Sequence, residues 1–149
     1  AAKDVMNSKN SIGKRLRGAF GALGFYAGWY PPLWLPAFVS TSGLPDPLKK
    51  HVRFAARASK RLARTLFHSM VKHGPRLERE QMVLAHLVDI GTELFAISSV
   101  SAYARGDDVA CADYFCREAR LRIAEHFRAL RQNNYRRGYS LARSILAED

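Results

Sequence analysis

At 149 residues, with 48% hydrophobic content and eight phenylalanines, the chain has the length of one domain and enough apolar mass for its own core, which excludes a disordered protein. A net charge of +11 calls for an acidic partner, whether nucleic acid, anionic lipid or an acidic protein surface. Two cysteines, Cys111 and Cys116, are too few for a secreted disulfide scaffold; they fall on different faces of a predicted helix and point to a reducing compartment.

Residues 1 to 12 are polar and show no cleavable signal peptide. Residues 18 to 39 carry no charge, hold both tryptophans and follow directly on Lys14, Arg15 and Arg17. The length would suit a membrane span of about 20 residues. Pro31, Pro32 and Pro36 argue against one, because each removes a backbone donor and breaks a helix, and lipid does not tolerate unpaired backbone groups. The pattern predicts a short apolar helix up to about Tyr30, with Leu16, Phe20, Leu23, Ala27 and Tyr30 on one stripe, and then an aromatic, proline-broken turn. Basic residues at one end and aromatic rings along the body suit an interfacial anchor. Packing into the protein's own core or a partner subunit is the alternative.

Ser40 to Pro47 is rich in turn formers and reads as a linker. From there the pattern is helical throughout, without strand-like alternation or internal repeat. Residues 1–45 and 46–149 are thus expected to be separate parts. The first long helix is predicted from Asp46, as N-cap with Pro47 next, to His73, where Gly74 and Pro75 stop it. Val52, Ala55, Ser59, Leu62, Leu66 and Met70 recur at core spacing. Lys50, Arg53, Arg57, Lys60, Arg61 and Arg64 share another stripe with no acidic residue among them, so pairing within the helix cannot neutralise it. An external anionic surface is expected there, the alternative being a solvated face. A second helix, about Pro75 to Ala104, is apolar nearly all round, as a central bundle helix would be. A third follows Gly106, Asp107 and Asp108 and runs to about Gln132, with Tyr114, Phe115, Ile123, Phe127 and Leu130 apolar. A fourth, Tyr135 to Glu148, is expected to bury Tyr139, Leu141, Ala142, Ile145 and Leu146. Short connections imply antiparallel neighbours. The predicted fold is therefore all-α: an antiparallel bundle of about four helices preceded by an amphipathic membrane-contacting segment.

No catalytic motif emerges. Asp89 and Glu93 stand i,i+4 on the apolar second helix, where paired carboxylates can do acid–base work. In so arginine-rich a chain they are read as acceptors for Arg side chains of neighbouring helices. The histidines, His51, His68, His73, His86 and His126, form no i,i+4 pair, and neither cysteine completes a zinc spacing. No metal or cofactor site is expected in the chain itself.

Glu80-Gln81, Leu87-x-Asp89, Glu93-Leu94-Phe95-Ala96 and Cys116-x-Glu118-Ala119-x-x-Arg122-Ile123 together resemble the C-terminal helical extension of the very-long-chain branch of the acyl-CoA dehydrogenases, and the resemblance covers nearly the whole chain. It implies a non-catalytic portion of an enzyme that oxidises a long-chain acyl-CoA to the trans-2-enoyl-CoA with FAD, the flavin and the catalytic glutamate belonging to upstream domains. It further implies a homodimer, and attachment to a membrane through the segment that corresponds to Lys14–Phe38. The Pro31 to Pro36 turn departs from the family pattern and leaves the membrane pose open.

These readings converge on a peripheral domain at the cytoplasmic or mitochondrial-matrix face of a membrane, working in fatty acid β-oxidation. Lys14, Arg15 and Arg17 would engage phosphates, and Phe20, Leu23, Phe25, Trp29, Trp34 and Phe38 would enter the interface. The basic stripe would face the same membrane or the acidic surface of the upstream catalytic domains. The rivals are a basic helical nucleic-acid-binding module and a stand-alone adaptor. Against the first, no helix-turn-helix signature and no aromatic stacking platform lie beside the basic residues.

Overall fold

The structure, a computed structural model, describes Gly28 and residues 30–147. The chain divides into two compact units, Ala1–Pro36 and Ala37–Asp149. Described residues of the first unit include a 3-10 turn at Pro31–Leu33, closed by Leu33 and Trp34 backbone N–H groups on the carbonyls of Tyr30 and Pro31. Pro31 and Pro32 lie in this turn, whereas the apolar helix predicted up to about Tyr30, with Leu16, Phe20, Leu23 and Ala27, falls outside the described residues; the Tyr30 and Trp34 rings meet edge to face at 6.2 Å.

The second unit is all-α, with four helices and no strand among the described residues: α1 Asp46–His73, α2 Gln81–Tyr103, α3 Asp108–Arg131 and α4 Tyr135–Ile145. α1 has the predicted bounds. Asp46 does not cap it, however. The N-cap is Pro45, and the Asp46 carboxylate instead takes Lys49 Nζ at 2.6 Å. Gly74 ends α1 with φ +53°, a backbone conformation that side chains with a Cβ resist. Pro75 then holds Gly74–Arg79 in a 3-10 turn, so α2 begins at Gln81, later than the proline-led start expected.

α1, α2 and α3 pack on one another in antiparallel order. Ile90, Leu94 and Ile97 of α2 meet Ala55 and Ala58 of α1 and Cys116, Ala119, Ile123 and Phe127 of α3 in one buried cluster. A smaller cluster at the opposite end joins Leu48, Ala104 and Ala112. The α1 core face is Leu48, His51, Ala55 and Ala58, with Phe54 and Leu62 half-buried beside it. It is rotated from the predicted stripe: Ser59, Leu66 and Met70 are exposed. Small residues on the inner face, Ala55 and Ala58, let the helices approach closely, and close packing sets the rotation. α2 is buried on one face only, and Val88 and Phe95, 65% and 74% exposed, stand on its outer face. It is also long and apolar enough to cross a membrane, but its inner face is committed to α1 and α3. α4 corrects another expectation. Tyr139, Leu141, Ala142, Ile145 and Leu146 are all exposed, and α4 has no buried residue. Its apolar stripe satisfies periodicity without a neighbour to cover it.

Candidate functional site

Five of the six cations in the α1 stripe fall into two groups by their surroundings. Lys50 Nζ lies 2.9 Å from Asp113 Oδ1 of α3, so the absence of acids from the stripe does not leave this cation unneutralised. Arg53 reaches Thr41 Oγ1 at 3.4 Å. Arg57, Arg61 and Arg64 line an open groove of about 300 Å³ between α1 and α3, over Phe54, Ile123 and Phe127. The Arg61 guanidinium lies 3.9 Å from the Phe127 ring centre, and Arg120 approaches Phe54 from the facing helix. Burial lowers the Arg61 pKa, with Arg131 and Arg64 adding like charge. The stripe is thus a salt-bridged end joined to an arginine-lined, aromatic-floored groove, a surface suited to an amphipathic anion.

Asp113 is a charge hub. It accepts from Lys50, from His51 Nε2 at 2.8 Å and from Arg117 Nε at 2.7 Å, and these bonds hold its carboxyl well below the usual range. His51 is fully buried, and burial depresses its pKa although Asp113 opposes the shift. Its Nδ1 has no hydrogen-bond partner among the described residues, consistent with a neutral ring donating through Nε2.

The carboxylates of α2 part company. Glu93 accepts Arg122 Nε and Nη2 at 2.5 and 2.9 Å, the arginine partnership expected of it, and raises the Arg122 pKa. Asp89 faces a histidine instead, with its Oδ2 3.8 Å from His126 Nδ1 of α3. His86 Nδ1 lies 2.8 Å from the same His126 nitrogen, and His86 Nε2 bonds the Tyr135 hydroxyl of α4. Burial, then His126, lowers the His86 pKa, and Asp89 opposes this. A histidine and an aspartate three positions apart on one helix were visible in the sequence. Their third member lies 40 positions beyond His86 on another helix, and only packing brings it in.

A cleft of about 480 Å³ adjoins the end of α1 and the start of α4. Lys72, Arg131, Arg136 and Arg137 line it, with Glu80 among them. Glu80 lies 3.3 Å from His73 and 3.8 Å from Arg136.

Of the residues expected to contact a membrane, Lys14, Arg15, Arg17, Phe20, Leu23, Phe25 and Trp29 lie outside the described residues. Trp34 and Phe38 are 63% and 93% exposed. Cys111 is exposed and Cys116 buried, both as free thiols on different faces of α3.

A helical unit with cationic surfaces, and with its α2 carboxylates engaged by Arg122 and by histidines, is the class of module described by the geometry. The comparisons add its relationship. The chain is 36% identical over 161 aligned positions to proteins named "Probable acyl-CoA dehydrogenase FadE10" from Mycobacterium bovis and from two strains of Mycobacterium tuberculosis. The match covers 98% of this chain but 24% of those proteins, so the chain spans about a quarter of the length of the curated relatives it matches. It is thereby homologous to an acyl-CoA dehydrogenase along nearly its whole length. No family model and no solved structure matches it.

Proposed function

We propose that the chain is the non-catalytic, C-terminal helical part of an FAD-dependent acyl-CoA dehydrogenase of the very-long-chain type, holding the enzyme at a membrane surface and supporting its dimeric assembly. The observation that carries this reading is the homology: nearly all of the chain aligns, yet with only a quarter of an acyl-CoA dehydrogenase. The packing supports a structural role. Glu93 is held by Arg122, and Asp113 by Lys50, Arg117 and the N–H of His51, so neither stands as an available base. The exposed outer residues Val88 and Phe95 of α2 and Tyr114 and Leu121 of α3 offer apolar area to the upstream domains or a second subunit. The flavin belongs upstream in this reading, and no residue here is assigned to it.

The membrane role rests on Trp34 and Phe38, large side chains left in solvent beside a proline turn, and on the cations that precede them. Membrane attachment would place the enzyme where its long-chain substrates concentrate. The test of the catalytic assignment is direct. Purified as these 149 residues, the protein should be colourless and inert towards palmitoyl-CoA, whereas the product of its reading frame extended upstream should be yellow and active. A stoichiometric flavin and turnover in the short chain would overturn the reading.

A further inference from the structure

His86, Asp89 and His126 each offer one ligand atom, and these atoms all lie within 4.8 Å of one another. We propose that they form a binding site for a divalent transition metal of the zinc type, with Tyr135 as the outer partner of His86.

The donor set is appropriate, since two imidazoles and a carboxylate suit zinc and its neighbours rather than calcium or magnesium. The distances are near what coordination needs. With bonds of about 2.0–2.1 Å in a tetrahedral arrangement, ligand atoms stand about 3.3–3.4 Å apart. The two Nδ1 atoms are now 2.8 Å apart and Asp89 Oδ2 is 3.8 Å from His126 Nδ1. These two separations must each change by about half an ångström, and the third, between His86 and Asp89, lies within 4.8 Å, adjustments that side-chain torsions at a partly exposed site can make. The 2.8 Å contact between two imidazole nitrogens requires a proton between them, donated by one ring to the lone pair of the other. A metal ion would take the place of that proton, leaving both nitrogens as ligands and releasing the proton to solvent.

The fourth feature is the tautomer. A metal-bound imidazole typically donates its other ring N–H to a neighbouring oxygen, which fixes the ring and strengthens the ligand. The Tyr135 hydroxyl already sits against His86 Nε2. With Nε2–H donating to that oxygen, Nδ1 presents its lone pair to the metal. The site therefore joins three helices: His86 and Asp89 on α2, His126 on α3, and through Tyr135 the first turn of α4. Asp89, whose side chain is 53% exposed, leaves the metal an entry path. Three protein ligands leave a further position to water.

The experiment is a titration of the full chain carrying Cys111→Ser, which removes an exposed thiol that could capture metal on its own. Co2+ and Zn2+ are the probes, read by the cobalt d–d absorption and by calorimetry. One equivalent is expected per chain, with cobalt displaced by zinc. His126→Gln should abolish the cobalt spectrum. Asp89→Asn, at an exposed position that does not threaten the fold, should weaken binding at least tenfold, and Tyr135→Phe should keep the stoichiometry with about 10- to 100-fold lower affinity. Zinc should also slow amide hydrogen exchange in 135–145. Absence of stoichiometric binding, or binding indifferent to both Asp89→Asn and His126→Gln, would overturn the site and leave the pair as a hydrogen bond between helices.

Discussion

His51 shows how a single buried group sets a pH limit on the fold. In the unfolded chain its imidazole takes up a proton near pH 6.5, whereas in the folded protein burial resists that proton. A depressed folded value means that the contribution is fully present above about pH 6.5 and is lost as pH falls below it. Asp113 has the same sign lower on the scale. Hydrogen bonds from Lys50, His51 and Arg117 hold it ionised, so its contribution is present above about pH 4 and lost on further acidification. The urea midpoint should therefore be level from pH 7 to 8 and fall in two stages on acidification; a midpoint that rises between pH 7 and 5 would contradict this assignment. The thiols should separate as sharply. Cys111 should react at once with a thiol reagent, while Cys116, buried beside Ser101 and with its pKa raised by burial, should react only on unfolding. Gly91 lies inside α2, where an added Cβ would meet Leu62 Cδ2 at an ordinary 3.9 Å. Gly91→Ala should stabilise the protein by about 0.5–1 kcal/mol, seen as a higher denaturant midpoint.

Among the elements, α4 carries a strong apolar stripe and buries none of it, while α3 is the wall of the core. Truncation after Gln132 should shift the urea midpoint little, because the loss is confined to contacts such as Tyr135 on His86 and Arg136 on Glu80. Ile123→Ala, at a side chain 1% exposed, should instead cost about 2–5 kcal/mol. Comparable losses from the two changes would mean that α4 packs on the bundle in solution. The helices themselves were legible in the sequence, because Gly74, Pro75, Gly106 and the Asn133–Asn134 break act locally on the backbone. Which face each helix turns inward was less so. The predicted α1 stripe shares Ala55 and Leu62 with the observed core side, and only the fit of Ala55 and Ala58 against Ile90, Leu94 and Ile97 turns the helix away from Ser59, Leu66 and Met70. For α4 the expected burial of Tyr139, Leu141, Ala142, Ile145 and Leu146 fails, because periodicity says nothing about whether a partner is present.

At the scale of the molecule, the basic stripe was legible as a run of charge, but its partners were not: Asp113 lies on another helix, and the aromatic floor under Arg61 comes from Phe127. The His86–Asp89–His126 cluster escaped for the same reason, since its members meet only after α2 and α3 pack. The homology ties nearly the whole chain to an acyl-CoA dehydrogenase, and the task proposed for the chain is to hold an enzyme of that kind on a membrane. Sedimentation with anionic liposomes at high salt tests this most directly. Lys and Arg contacts weaken as salt rises, both on lipid and on duplex DNA, but burial of each large apolar side chain contributes about 1.5–3 kcal/mol that salt does not screen. The chain should therefore remain on liposomes at high salt and leave duplex DNA. Phe20→Ser, Trp29→Ser and Trp34→Ser combined should release it from the liposomes without changing its helicity by circular dichroism. Retention of the triple variant on liposomes would place the membrane contact elsewhere, and loss of its helical fold would assign those side chains to the core and contradict the anchor.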